Sequence, residues 1–445
     1  MNNFQNLCIY LILIFTCSFV ICQDIPDGRF ELSSALINDK IYFFGGATDA
    51  TNSSNEVFYI DLSSTFDIST PPFKKASTGM PVGDNLGTCV STPDNSTIYL
   101  IGGRMTSTST AVYKFDPISL QWTIPIINGF NNSFINRNEI NAVIDSKGKT
   151  YIFCGTDTKP GITTTGSGNW FYEMSIFDTT SMTWSTLPLP TDVLPRVDYT
   201  ATLLPTGLII YIGGFTKLTP SSTNTLPSFT DILIFDTKSL SWSNKTASGT
   251  TVQQRAGHSA VLTKDGNIII FGGAKNNVQV YPDLAVLNTN TWIWSVPSNS
   301  TVNAPPSLSR ASANLYKIYM IITFGRKTSQ VAVKPWVYSN NIYIFNTETY
   351  SWVSSFNEVS QGAPTNKNGT STNQGNLPTD NENSSTYKII LYVVISIGCI
   401  AFLSGLVVFY KKYCKNRTRL EKNLMSEGLH NSDLHDKEKH SNIVL

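Results

Sequence analysis

The 445-residue sequence predicts an all-β fold, a six-bladed β-propeller, followed by one C-terminal transmembrane helix. Three observations carry this. An apolar strand ending in a glycine pair recurs along the chain. An Asp or Asn is followed six residues later by Trp, five times over. Two uncharged apolar segments, at 7–22 and 389–410, bracket the repeats.

The first apolar segment is too short for a bilayer span and lies at the N-terminus, so residues 1–22 read as a signal peptide. Cleavage after Cys22 leaves Gln23 as the mature N-terminus. The leading MNNFQN lacks Lys and Arg, so an uncleaved signal anchor stays open.

The repeats fill residues 23–356, and such internal similarity is read before any other feature. Full glycine pairs close IYFFGG (Gly45, Gly46), IYLIGG (Gly102, Gly103), LIIYIGG (Gly213, Gly214) and NIIIFGG (Gly272, Gly273). Two copies are degenerate, YIFCG at Gly155 and MIITFGR at Gly325. The Asp/Asn–Trp pairs are Asp116/Trp122, Asp178/Trp184, Asp236/Trp242, Asn288/Trp294 and Asn346/Trp352. The first copy has Asp61 but only Phe66 near the Trp place. An Arg often precedes the strand pair: Arg29, Arg137, Arg196, Arg255 and Arg310.

Each copy alternates β-branched or aromatic strands with turn-rich loops, enough for about four strands in roughly 50 residues. Glycine allows close backbone approach, Trp supplies an apolar plug between sheets, and the Asp suits a turn. Six copies imply six blades, with a seventh left open. The fullest copy, QQRAGHSAVLTKDGNIIIFGG, resembles the kelch repeat, and the chain more loosely resembles the propeller domain of galactose oxidase, over residues 28–356. The resemblance is specific for fold and nearly silent on function.

After the repeats the composition turns to Gly, Asn, Thr and Pro, a flexible stalk over 357–388. Residues 389–410 are long enough to cross a hydrocarbon core of roughly 30 Å. Lys411, Lys412, Lys415, Arg417, Arg419 and Lys422 follow, which places the tail 411–445 in the cytoplasm. The expected topology is single-pass type I, integral to the membrane and reaching the plasma membrane through the secretory pathway. Asn52, Asn95, Asn131, Asn244, Asn299, Asn368 and Asn383 head Asn-x-Ser/Thr sequons on the extracellular side and are glycosylation candidates. Cys89 and Cys154 are the two cysteines of the mature extracellular part, a candidate disulfide, with two buried thiols as the alternative. Cys414, beside the membrane, is a palmitoylation candidate. The short polar tail is expected to be disordered.

Composition narrows the function classes. Residues 23–387 carry 23 Lys and Arg and 26 Asp and Glu, a net charge of −3, too mild to capture nucleic acid. The galactose-oxidase resemblance implies a copper site of two His and two Tyr, one Tyr cross-linked to Cys. Of the four histidines, His430, His435 and His440 are in the tail, leaving His258 in a repeat position. Copper of that type needs imidazoles, so the oxidase expectation falls, and no catalytic residue, metal ligand or cofactor is assigned. A carboxylate-pair hydrolase needs no His, but no signature for one is present.

Arg104 and Arg326 directly follow glycine pairs. The insertions at 156–170 and 216–229 offer a loop surface of the sort propellers use for ligands. The expected function is non-enzymatic recognition or adhesion at the cell surface, with an extracellular protein or glycan as ligand. An extracellular carbohydrate-active enzyme or galactose-oxidase-like oxidase is the alternative.

Overall fold

The computed structural model describes residues 24–357, apart from 50, 51, 108, 109, 131, 160, 162, 163 and 333. Six antiparallel sheets of four strands each are arranged in chain order about one axis. The fourth is representative, with Thr200–Leu203 innermost, then Leu208–Ile212, Asp231–Asp236 and Ser241–Thr246. In the fifth, Ser248–Gly249 adds in parallel to the outermost strand Ile293–Ser295. The innermost strands are Ser33–Ile37, Thr88–Ser91, Ala142–Ile144, Thr200–Leu203, Ala256–Leu262 and Ser312–Tyr316.

Among the described residues there is no seventh blade, because the six close on themselves twice. Around the axis, one residue per blade passes its backbone N–H to the carbonyl of the preceding blade. The cycle runs Leu86 to Glu31, Glu139 to Leu86, Asp198 to Glu139, Gly257 to Asp198, Arg310 to Gly257 and Glu31 to Arg310, at 2.6–3.2 Å. All six residues hold left-handed backbone, with φ between 54° and 62°. At the periphery, Ser355–Phe356, after the last repeat, pairs with Asp67 and Phe66 of blade 1. Phe356 stacks on Phe66 at 5.2 Å. In the irregular first copy, which has Phe66 near the Trp place, the segment returning after the sixth blade packs there.

The five repeat tryptophans plug the seams between blades. Trp122 packs among Tyr42, Phe44 and Phe115, and Trp242 among Phe153, Tyr211 and Phe235. Trp294 and Trp352 also donate their indole N–H to Phe229 and Ser300 carbonyls at 2.8 Å. The Asp or Asn six residues earlier caps the preceding turn. Asp116 accepts from Ile118 and Ser119, Asp178 from Thr180 and Ser181, and Asn346 from Glu348 and Thr349.

The first glycine of each pair is explained by the neighbouring blade. A Cβ on Gly45, Gly102, Gly213 or Gly272 would meet the Asp84, Arg137, Arg255 or Leu308 carbonyl oxygen at 2.6 Å or less. In the degenerate copies Cys154 and Phe324 take that place with φ of 52° and 61°, accepting a left-handed conformation that costs about 1–2 kcal/mol for a non-glycine residue.

One repeat assignment is corrected. Arg29, Arg137 and Arg255 lie two residues before the axial ring and donate to the carbonyls of Gly45, Cys154 and Gly272. In blade 6 that place belongs to Leu308, and in blade 2 to Asp84. Arg310 is displaced two residues onto the ring itself, so its side chain serves the axis rather than the repeat.

Candidate functional site

The connections after each second strand and before each innermost strand share one face, because the strands are antiparallel. At the centre of that face the ring residues present Glu31, Leu86, Glu139, Asp198, Gly257 and Arg310. Arg310 spans the axis. Its guanidinium pairs with Glu31 of blade 1, with Asp198 of blade 4 at 2.9 Å, and with the Thr165 hydroxyl. Burial alone would lower the Arg310 pKa, but Asp198 and Glu31 outweigh it and hold the guanidinium above the ordinary value.

Arg104, after the pair Gly102 and Gly103, and Arg326, after the single Gly325, flank this network. Arg104 pairs with Glu139 and donates to Asn138 at 3.1 Å. Burial pushes the Glu139 carboxyl up to about 7 against the pull of Arg104. Arg326 reaches Asn277 at 2.8 Å and lies 4.4 Å over the Trp336 ring. Its buried Nε has no hydrogen-bond partner among the described residues. Burial, and then the charge of Arg310, lower the Arg326 pKa. Arg104, Arg310, Arg326, Trp336 and Tyr338 line a small cleft of about 40 Å³, with Asn52 on its wall. Tyr338 is itself fixed by stacking on Phe30 at 4.7 Å.

Beneath the cleft runs an axial cavity of about 190 Å³, lined by the first residues of the innermost strands. The inner part of the 156–170 insertion covers it on one side. The Gly166 N–H donates to Glu139 at 2.8 Å, and Asn224 from the 216–229 insertion holds the Thr165 carbonyl at 2.9 Å. Lys217 sits 5.2 Å over the Trp170 ring. The insertions of the neighbouring blades 3 and 4 thus brace each other.

His258 lines the axial cavity, and its Nε2 meets the Thr200 hydroxyl at 2.9 Å. Burial, assisted by Arg255, pushes its pKa down to about 3. It is a neutral packing residue. The candidate disulfide is corrected. Cys89 lies on an innermost strand and Cys154 at the end of a second strand, in different seams between blades, and both are free thiols. Burial pushes the Cys154 thiol up to about 12 and raises Cys89 as well. Among the described residues, no group of three or more His, Cys, Asp or Glu could hold a metal ion.

Asn52, Asn95, Asn244 and Asn299 are exposed. Asn131, Asn368, Asn383, Cys414, the leader 1–22, the stalk from 358 onward, the apolar segment 389–410 and the tail lie outside the described residues. Among the described residues no helix is long and apolar enough to cross a membrane. The sequence reading missed Glu31, Glu139, Asp198, Trp336 and Tyr338. A signal for the acids was present, since Arg29-Phe30-Glu31, Arg137-Asn138-Glu139 and Arg196-Val197-Asp198 repeat an Arg-x-acid pattern. Trp336 and Tyr338 come from a loop outside the repeat and left no comparable signal.

A family model described as the KLHDC2/KLHL20/DRC7 Kelch-repeats domain matches residues 31–228 and 220–377. Acyl-CoA-binding domain-containing protein 4 of Arabidopsis thaliana is 25% identical over 63% of the chain and 40% of its own length. A kelch repeat-containing protein of Arthroderma benhamiae is 24% identical over 77% of the chain and 59% of its own length. The chain thus spans between two fifths and three fifths of these relatives. The solved structure of YjhT superposes with a TM-score of 0.53 at 12% identity, over 74% of the chain and 97% of that protein, a likeness of fold.

Proposed function

The chain belongs to the kelch-repeat propeller family, and on that premise we propose that it is a non-enzymatic recognition or adhesion protein. It binds an extracellular protein or glycan at the axial cleft. The observation that carries this is Arg326, a cation stacked on Trp336 in a cleft that Arg104, Arg310 and Tyr338 also line. A cation and aromatic rings held by a rigid scaffold suit recognition, since little ordering is lost when a ligand docks. Anchoring as a type I plasma-membrane glycoprotein is part of the proposal and rests on the sequence: leader 1–22, span 389–410, the basic residues behind it, and exposed sequons.

No observation favours the enzymatic alternative. The histidine an oxidase would need, His258, is engaged by Thr200. Acyl-CoA binding is named for a relative of which this chain covers 40%, and it is not proposed here. The test is binding of the full-length protein in detergent micelles to a panel of glycans and cell-surface proteins, with peroxide release followed on the same sample. Saturable binding lost in Trp336→Ala supports the reading. Turnover without binding sinks it. For the anchor, an endoglycosidase-sensitive mass shift together with protease cleavage of the tail only in opened vesicles is expected. Unglycosylated protein in the cytosol would contradict it.

A further inference from the structure

A second concave site lies off the axis on the same face, between blades 4 and 5. It is a groove of about 680 Å³, within the range of roughly 300–1,000 Å³ that small-molecule sites occupy. The segment 248–254 entering blade 5 forms one wall and the loop 275–280 the other. Its floor is apolar and rigid, made of Phe229, Val252, Val280 and Trp294, all buried. The Trp294 indole is pinned to the Phe229 carbonyl.

The polar chemistry of the walls is distinctive. Sixteen residues line the groove and only Lys275 is ionisable. The remaining polar side chains are amides and hydroxyls. Those of Thr250, Thr251, Gln254 and Asn276 make no hydrogen bond among the described residues, while Gln253 is committed to the Tyr281 N–H at 2.7 Å. Amides offer donors and acceptors together, and hydroxyls do the same. A ligand matching unused amides and hydroxyls over an apolar floor, with almost no charge to answer, is itself uncharged, rich in hydroxyls and faced with C–H groups.

We infer that this groove binds a neutral saccharide, its hydroxyls answered by Thr250, Thr251, Gln254 and Asn276 and its apolar face lying on the floor that Phe229, Val252, Val280 and Trp294 form. A negatively charged polymer finds one cation here, and a cationic ligand finds no carboxylate. The site is separate from the axial cleft and does not depend on that reading.

The test uses the full-length protein in detergent micelles and saturation-transfer NMR with four named probes: cellohexaose, mannohexaose, chitohexaose and, as the charged control, a sulfated heparin hexasaccharide. At least one neutral hexasaccharide is expected to bind saturably, and its affinity to fall at least tenfold in Gln254→Ala/Asn276→Ala. Thr251→Phe, which fills the groove without removing those amides, is expected to abolish binding, while Trp336→Ala at the axial cleft leaves it unchanged. All of these positions except Trp336 are surface residues of the groove, and unchanged thermal melts confirm intact folding. Binding of heparin alone, binding indifferent to the groove variants, or no binding by any neutral probe would each overturn the assignment.

Discussion

Replacing Arg310 by Ala removes the one cation shared by Glu31 and Asp198, and the structure sets the size of the effect. The arginine side chain is 12% exposed and its two partners 4% and 9%, so water can do little to re-solvate the carboxylates left behind. Removing one member of such a buried group costs about 3–5 kcal/mol, much of it from the uncompensated charge that remains. The backbone contributes little to the difference, because Arg and Ala meet the same left-handed penalty at φ 54°. Urea unfolding followed by Trp fluorescence reads this as a shift in midpoint at constant slope. A thermal melt should fall by roughly 6–10 °C, taking the lower end of the usual 2–4 °C per kcal/mol for a domain of this size. A triple variant, Glu31→Gln, Asp198→Asn and Arg310→Met, removes all three charges and should recover most of the loss. The reasoning is refuted if Arg310→Ala costs under about 1 kcal/mol, or if the triple variant is no more stable than the single one.

The remaining predictions concern pH, packing and thiols. With its pKa lowered to about 3 by burial, His258 contributes stability that is complete above its unfolded pKa near 6.5 and is lost as pH falls toward 3. Relative to His258→Gln, the parent should lose about 2 kcal/mol between pH 6.5 and 5, at about 1.4 kcal/mol per unit; parallel stability curves would contradict this. Trp352→Ala opens the seam between blades 5 and 6 and orphans the Ser300 carbonyl, so a loss of about 3–5 kcal/mol is expected in urea melts. Cys89 and Cys154 should leave the melting temperature unchanged on adding reductant and should react with a thiol reagent only after unfolding. A melt lowered by reductant would mean that they pair.

The propeller was legible because its determinants are local and repeated. Gly45, Gly102, Gly213 and Gly272 answer one recurring collision with the next blade, and Trp122 through Trp352 fill one recurring seam. Blade closure was not legible, because the Phe66–Phe356 pairing joins residues 290 positions apart (356 − 66) and uses a Phe where the repeat has Trp. The same limit misled the reading of Arg310. It stands near the position of Arg255 in sequence, yet a two-residue shift turns it from a blade arginine into the axial one. The candidate disulfide failed for a related reason: two cysteines in neighbouring copies share a pattern, but Cys89 and Cys154 face different seams. Arg104 and Arg326 were visible beside their glycines, whereas Trp336 and Tyr338 depend on a loop that only the fold brings to the axis.

The central claim, recognition at the axial cleft, is tested most directly by titrating full-length protein against immobilised extracellular ligands, glycans and proteins, with Arg326→Ala and Trp336→Ala in parallel. The account predicts saturable binding to one class, weakened at least tenfold by either substitution while the thermal melt stays within a few degrees of the parent. With any neutral-glycan binding at the groove removed by Thr251→Phe, binding that still ignores both substitutions, or product formation in the absence of binding, would contradict it.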